Sequence, residues 1–240
     1  ESMESTDGVL LVDKGQDMTS HDVVAVARRS LGIKKIGHCG TLDPMATGLL
    51  ILVVGRGTKI QDLLMAEDKE YVGSLELGKT TNTQDAEGEV LEEKEVPSDL
   101  SEESIRAAFD EFRGDFYQTP PMVSAIKKDG VPLYKLARQG KEVKREPRFV
   151  HVYNYRIDSI DLPTVSFTVK CSKGFYVRTY AHDIGEKLGC GAHLKSLRRT
   201  MSGKFDLERS VTFEELKHGD RRELKAKMLS LPEVSKLRGA

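Results

Sequence analysis

The stretch Gly37-His38-Cys39-Gly40-Thr41-Leu42-Asp43-Pro44-Met45-Ala46-Thr47-Gly48 sets one carboxylate between a histidine and a proline and runs directly into six apolar residues, 49–54. Three glycines and a proline call for backbone angles that most residues avoid. An unbroken apolar run of that length reads as a buried strand. Asp43 is therefore predicted to sit fixed at a sheet edge, where a rigid scaffold can present a side chain for chemistry. The plainer alternative is a turn whose Asp caps nearby backbone N–H groups.

Around this stretch the chain alternates strands and helices. Val9-Leu10-Leu11-Val12 reads as a short buried strand, and Thr19-Ser20 can cap a helix that carries Val23, Val24, Ala27 and Leu31 on one face and ends at Gly32. A short helix at 59–64 and a strand at 71–77 follow. Ser101 caps a second helix, with Ile105, Ala108, Phe109 and Phe112 spaced along one face and Gly114 at its end. Lys127-Lys128-Asp129-Gly130 reads as a turn, and residues 133–139 as a short helix closed by Gly140. Alternating apolar residues predict strands at 149–157 and 165–169, and a helix runs from about Arg178 to Leu188, before Gly189. The pattern describes one mixed α+β domain over 8–220 with a hairpin-containing insertion near 115–150, then a short basic tail at 221–240.

The 240 residues carry a formal net charge of -1, which by itself argues against a polyanionic partner. The distribution reverses that impression. Residues 82–115 hold twelve acidic against three basic side chains, 127–148 hold eight basic against three acidic, and 165–204 eight basic against two acidic. A chain polarised in this way can present a basic face while staying neutral in total. Solvated helical faces would give the same counts. Cys39, Cys171 and Cys190 are odd in number, widely spaced and without a C-x-x-C pair, which suggests neither a disulfide framework nor a zinc site and fits a reducing cytoplasm. Residues 1–7 contain neither a basic region nor a long apolar stretch, and a six-residue apolar run cannot cross a bilayer. No targeting or membrane segment is expected.

The stretch at 37–48 resembles the G-H-x-G-T-L-D-P-x-A-x-G signature of the TruB family, the pseudouridine synthases that act on the T-loop of tRNA. Four more segments resemble the family in the same order. They are Lys69-Glu70-Tyr71; Thr81-Asn82-Thr83-Gln84-Asp85-Ala86-Glu87-Gly88; Pro120-Pro121-Met122-Val123-Ser124-Ala125 with Leu133-Tyr134-Lys135-Leu136-Ala137-Arg138-Gln139-Gly140; and Cys171-Ser172-Lys173-Gly174-Phe175-Tyr176-Val177-Arg178-Thr179. The resemblance covers about residues 8–213. It implies a mainly antiparallel sheet with peripheral helices, an isomerase that converts uridine 55 of tRNA to pseudouridine, a monomer with no obligatory protein partner, and no cofactor.

That last implication agrees with the chemistry. Breaking the N-glycosidic bond, turning the base and rejoining it through carbon needs neither an oxidant nor a group donor, and the sequence has no phosphate-binding or dinucleotide fingerprint. It does need a carboxylate beside the ribose, acting as nucleophile or as electrostatic support. The resemblance gives that role to Asp43. It places Tyr71 against the extruded base, since a base removed from its stack needs a new one, and Arg178 beside Asp43, where a guanidinium keeps a desolvated carboxylate ionised. His38 is assigned a contact with the RNA, Asp85 a supporting place near Arg178, Leu197 an apolar wall beside the base, and Arg198 and Arg199 contacts with phosphates. Lys14 joins these substrate-binding positions.

Each residue also has an ordinary reading: a core tyrosine with its hydroxyl at the surface, a surface arginine, a histidine donating to a backbone carbonyl, a core leucine. Three departures stand out. The family's D-K-P-x-G is here Asp13-Lys14-Gly15-Gln16-Asp17, Asn82 stands where Asp is usual, and residues after 218 are too few for the PUA domain that many relatives carry. The competing functions are the same chemistry on another RNA, a noncatalytic RNA-binding module, and a base-releasing glycosidase. The last would call for a carboxylate pair, whereas the stretch supplies one.

Overall fold

The computed structural model describes residues 6–121, 127–128, 131–132 and 145–239. The expected helix at 133–139 and the matches at 122–125 and 133–140 lie outside them. In chain order the elements are β1 (Gly8–Lys14), α1 (Ser20–Leu31), β2 (Ile36–Cys39), β3 (Thr47–Val54), a 3-10 turn (Gly55–Ile60), α2 (Gln61–Met65), β4 (Lys69–Leu77), β5 (Lys79–Thr81), β6 (Val90–Glu93), α3 (Glu102–Asp110), β7 (Gly114–Gln118), β8 (Lys127–Lys128), β9 (Val131–Pro132), β10 (Arg148–Asp161), β11 (Thr164–Cys171), α4 (Val177–Leu188), β12 (Ala192–Ser202), β13 (Val211–Thr212), α5 (Phe213–His218), α6 (Arg221–Lys227), β14 (Leu229–Ser230) and α7 (Leu231–Leu237). The fold is mixed α+β with mostly antiparallel pairing.

The chain divides into two compact units. One holds the chain up to Tyr71 and from Arg198 on, and the other is Val72–Leu197. In the first, β1 lies between β13 and β3, β2 flanks β3, and the last residues of β12 join β3 in parallel, Arg198 opposite Thr47 and Arg199 opposite Gly48. Because β3 has partners on both edges, Leu49, Leu50, Ile51, Leu52, Val53 and Val54 are all buried, which is why the sequence there is apolar without alternation. Helix α1 begins with a capping box between Thr19 and Asp22 and ends at Gly32, whose φ of 67° is the left-handed conformation a helix stop favours. The segment expected to be a basic tail is folded instead. β14 pairs with β1, and Leu224, Leu229 and Val234 are buried, because those leucines and valine recur where two short helices and a strand can turn them inward.

In the second unit β7, β10, β11 and β4 are neighbours in that order, with β10 and β11 forming a long hairpin. Phe109 of α3, Phe167 of β11 and Tyr180 of α4 meet at centroid distances of 5.7–5.8 Å and fill the core. Helix α3 is capped by Ser101 as expected but ends at Asp110. Phe112 therefore lies beyond it in a turn, and Gly114 opens β7. β8 pairs with β9, Lys128 opposite Val131, and Asp129 and Gly130 of the expected turn lie outside the described residues. No helix among the described residues is long and apolar enough to cross a membrane.

Candidate active site

Asp43 lies in the connection between β2 and β3. Two of its three glycines need their special freedom. Gly40 has φ 87°, and Gly48 has φ 104° with the Arg199 carbonyl oxygen 2.2 Å from where a Cβ would stand. Gly37, by contrast, sits in an ordinary strand. The loop's path is fixed by its backbone. The Ala46 N–H donates to Asp43 O at 2.9 Å, closing a turn with Pro44 at its first corner, and the Asp17 N–H donates to Pro44 O at 3.0 Å. Ser20 Oγ accepts from the Leu42 N–H at 2.9 Å and donates to Leu42 O at 3.1 Å. Thr19 caps α1, so the hydroxyl of Ser20 is available to the loop. Two hydroxyls side by side at one helix start, where a single cap suffices, were the overlooked sign of this. Asp43 itself is half-buried.

Lys14 at the end of β1 is fully buried and donates to Gly15 O at 2.7 Å and Met18 O at 2.8 Å. Burial pulls its pKa below the ordinary lysine value, and the charges of Asp43, Asp17 and Asp22 oppose that shift. Lys14 thus supplies a desolvated positive charge to the same part of the unit as Asp43, and its ammonium is turned to the loop backbone at Gly15 and Met18. His38 belongs to β2. Its Nδ1 is buried with no hydrogen-bond partner among the described residues. Burial, then the Arg199 and His21 charges, lower its pKa, so the ring is neutral at neutral pH; only the Gly40 backbone acts the other way. Tyr71 is buried in β4 at 9% exposure.

Arg198 and Arg199 occupy successive positions of β12 and face opposite ways. Arg198 forms a two-armed pair with Asp13, Nη1 to Oδ1 at 3.0 Å and Nη2 to Oδ2 at 2.8 Å, and the Asp13 hydrogen bond raises its pKa further. Arg199 is 2% exposed and donates from Nε to Leu49 O at 2.8 Å and from Nη2 to Gly40 O at 3.0 Å. Both guanidinia are thus held by partners within the protein. One guanidinium is already paired with a carboxylate, and the other is buried on loop carbonyls.

In the second unit Asp85 is 4% exposed at a hairpin between β5 and β6. Its Oδ1 accepts from Thr83 Oγ1 at 2.5 Å and from the Glu87 N–H at 3.0 Å, and its Oδ2 lies 3.7 Å from Arg178 Nη1. Arg178, in the first turn of α4, also donates to Thr83 O at 3.2 Å, while Thr179 Oγ1 donates to Gln84 Oε1 at 2.7 Å. Gln84 holds φ 64°, and its carbonyl accepts from the Leu194 N–H at 2.9 Å, tying this hairpin to β12. Asp85 thus stands beside Arg178, the neighbour that the family resemblance implied for it. Asn82 spans the hairpin base, its Oδ1 accepting from the Glu89 N–H at 2.9 Å. An amide performs that task without the charge that Asp would add. Leu197 is half-buried. Of the basic residues at 165–204, Lys170, Lys173, Lys187, Lys195 and Lys204 are exposed, whereas the three arginines have internal partners. The basic segment at 127–148 lies mostly outside the described residues.

The model of the TruB family pseudouridylate synthase N-terminal domain matches residues 28–177, and that of the tRNA pseudouridylate synthase B C-terminal domain matches 178–231. A tRNA pseudouridine synthase B of Opitutus terrae is 55% identical over 96% of this chain and 91% of its own length. That of Geobacter sulfurreducens is 53% identical over 88% of this chain and 69% of its own. Among solved structures, a Cbf5-Nop10-Gar1 complex aligns with a TM-score of 0.73 at 29% identity, covering 97% of this chain and 62% of the matched one. An H/ACA RNP bound to a substrate RNA containing 2'-deoxyuridine aligns with a TM-score of 0.66 at 29% identity, covering 88% of this chain and 52% of the matched one.

Proposed function

Because this chain belongs to the TruB family of pseudouridylate synthases, we propose that it isomerises uridine 55 in the T-loop of tRNA to pseudouridine, with Asp43 as the catalytic carboxylate. The observation that carries the reading is the Asp43 loop. Its backbone is anchored on both sides of the aspartate, at Leu42 and at Pro44, so the main chain that carries the carboxylate is fixed before substrate arrives. Preorganisation of this kind lets a side chain act on a developing oxocarbenium centre without reorganising during the step.

The remaining roles follow from what the reaction needs. The uridine must leave its stack, at a cost of a few kcal/mol, and an aromatic face restores roughly 1–3 kcal/mol per base; Tyr71 takes that part. Arg178 takes the place of the family's catalytic arginine, and Asp85 holds it in orientation. His38, neutral because of its burial and the Arg199 charge, meets the RNA as a hydrogen-bonding ring rather than as a cation. Leu197 walls the base, and Lys14 steadies the loop from within. The chain acts as a monomer on the T-arm in the cytoplasm. A second reading, the same chemistry on another RNA, has the support of a neighbour solved as an H/ACA RNP bound to a substrate RNA containing 2'-deoxyuridine.

The test is a position-resolved pseudouridine assay on an unmodified tRNA transcript with no cofactor added, wild type beside Asp43→Asn. Conversion confined to uridine 55 by the wild type alone is the expected result. Turnover by Asp43→Asn would remove the carboxylate from the mechanism, and conversion only in other RNAs would transfer the chemistry to the second reading.

A further inference from the structure

We propose that Arg199 is a positioning residue for the reaction, a buried clamp that sets the direction of Asp43 by holding the two ends of its loop together. The inference rests on the assignment of Asp43 as the catalytic group. The clamp itself stands on geometry alone.

One residue grips the loop at three places. Its guanidinium donates to Gly40 O, before Asp43, and to Leu49 O, after it, at 3.0 and 2.8 Å. Its main chain lies opposite Gly48 in the parallel ladder between β12 and β3. That approach is so close that a Cβ on Gly48 would lie 2.2 Å from Arg199 O and 2.8 Å from Arg199 N. Within the span so closed, Ser20 Oγ holds Leu42 and the Asp17 N–H holds Pro44. Asp43 sits between those two inner anchors.

The chemistry of the clamp explains why it is an arginine. Desolvating a cation against neutral carbonyls is a costly way to fill space, and an aliphatic side chain would do that better. A planar fork with donors in fixed directions, from Nε and from Nη2, bridges two carbonyls at one set separation, whereas a lysine ammonium gathers its acceptors around a single point at the end of a flexible stem, as Lys14 does. Arg199 also acts electrostatically on this loop's neighbourhood, since its charge contributes to keeping His38 neutral. Its 2% exposure leaves no surface for a phosphate. A displacement of about 1 Å in a catalytic group can lower a rate on the order of 10²-fold. Loss of the fork should therefore show in the chemical step and not in RNA binding.

The experiment compares wild type with Arg199→Lys and Arg199→Gln in single-turnover conversion at saturating tRNA, in tRNA affinity across a salt series, and in amide hydrogen exchange. For Arg199→Lys the expected result is a rate lowered on the order of 10²-fold, affinity and salt slope within about threefold of wild type, and exchange at Leu42 and Ala46 at least roughly tenfold faster relative to β1. A full rate would overturn the proposal, and so would a rate loss matched by weaker binding with a flatter salt slope, which would place the guanidinium on phosphate. If neither variant folds, the wild type decides: the Leu42 and Ala46 amides must exchange as slowly as those of β3, and fast exchange refutes the clamp. Exchange does not depend on turnover, so an inactive wild type would count against the proposed function while leaving the clamp to its own result.

Discussion

Two loops in this molecule each carry one aspartate near a glycine, and they are organised in opposite ways. At Asp43 the neighbours hold the backbone: Ser20 at Leu42, Asp17 at Pro44, and Arg199 at Gly40 and Leu49. At Asp85 the carboxylate is itself the anchor, taking donors from Thr83 and Glu87 and facing Arg178. An aspartate whose side chain organises its own loop is committed to structure. At Asp43 other groups fix the backbone on either side, which is the support a catalytic carboxylate requires.

The sharpest break of this comparison is the pair Asp43→Asn and Asp85→Asn. The first should cost on the order of 10³-fold or more in conversion rate while leaving the melting temperature within a few degrees, because it removes charge and keeps shape. A large drop in melting temperature would make Asp43 the structural residue instead. Gly48→Ala comes next in size. A left-handed φ and a Cβ against the Arg199 carbonyl should destabilise the protein by about 3 kcal/mol in chemical denaturation, and a near-neutral result would mean that the two strands part easily. Asp85→Asn should cost about 2 kcal/mol, since its amide nitrogen would turn a donor toward the Arg178 guanidinium. Unchanged stability would show that the carboxylate does not hold its hairpin. The smallest effect belongs to Arg198→Gln. Its partly exposed pair with Asp13 is worth at most about 1 kcal/mol, and the salt slope of tRNA binding should stay unchanged. A slope reduced by about one would put Arg198 on a phosphate after all.

Local features were legible in the sequence. The ends of α1 and the start of α3 follow from caps a few residues away, and the buried β3 from its six apolar residues. Gly40 and Gly48 behave as a strained loop demands. The tail was misread because its spaced leucines look like a solvated segment until β14 finds β1. The partners of the charges were hidden for a similar reason. Counting arginines shows how many cations a segment holds, and it does not show that Asp13, 185 residues earlier, waits for Arg198 or that Leu49 O waits for Arg199.

By itself, then, the sequence determined the family's ordered motifs, the mixed α+β pattern and the carboxylate on which the reading centres, because propensity, capping and glycine geometry act over a few bonds. Tertiary structure alone decided which polar groups hold and which are held. Ser20, Arg198 and Arg199 acquire their roles from partners far along the chain, and only folding brings a buried donor to the one carbonyl or carboxylate that satisfies it.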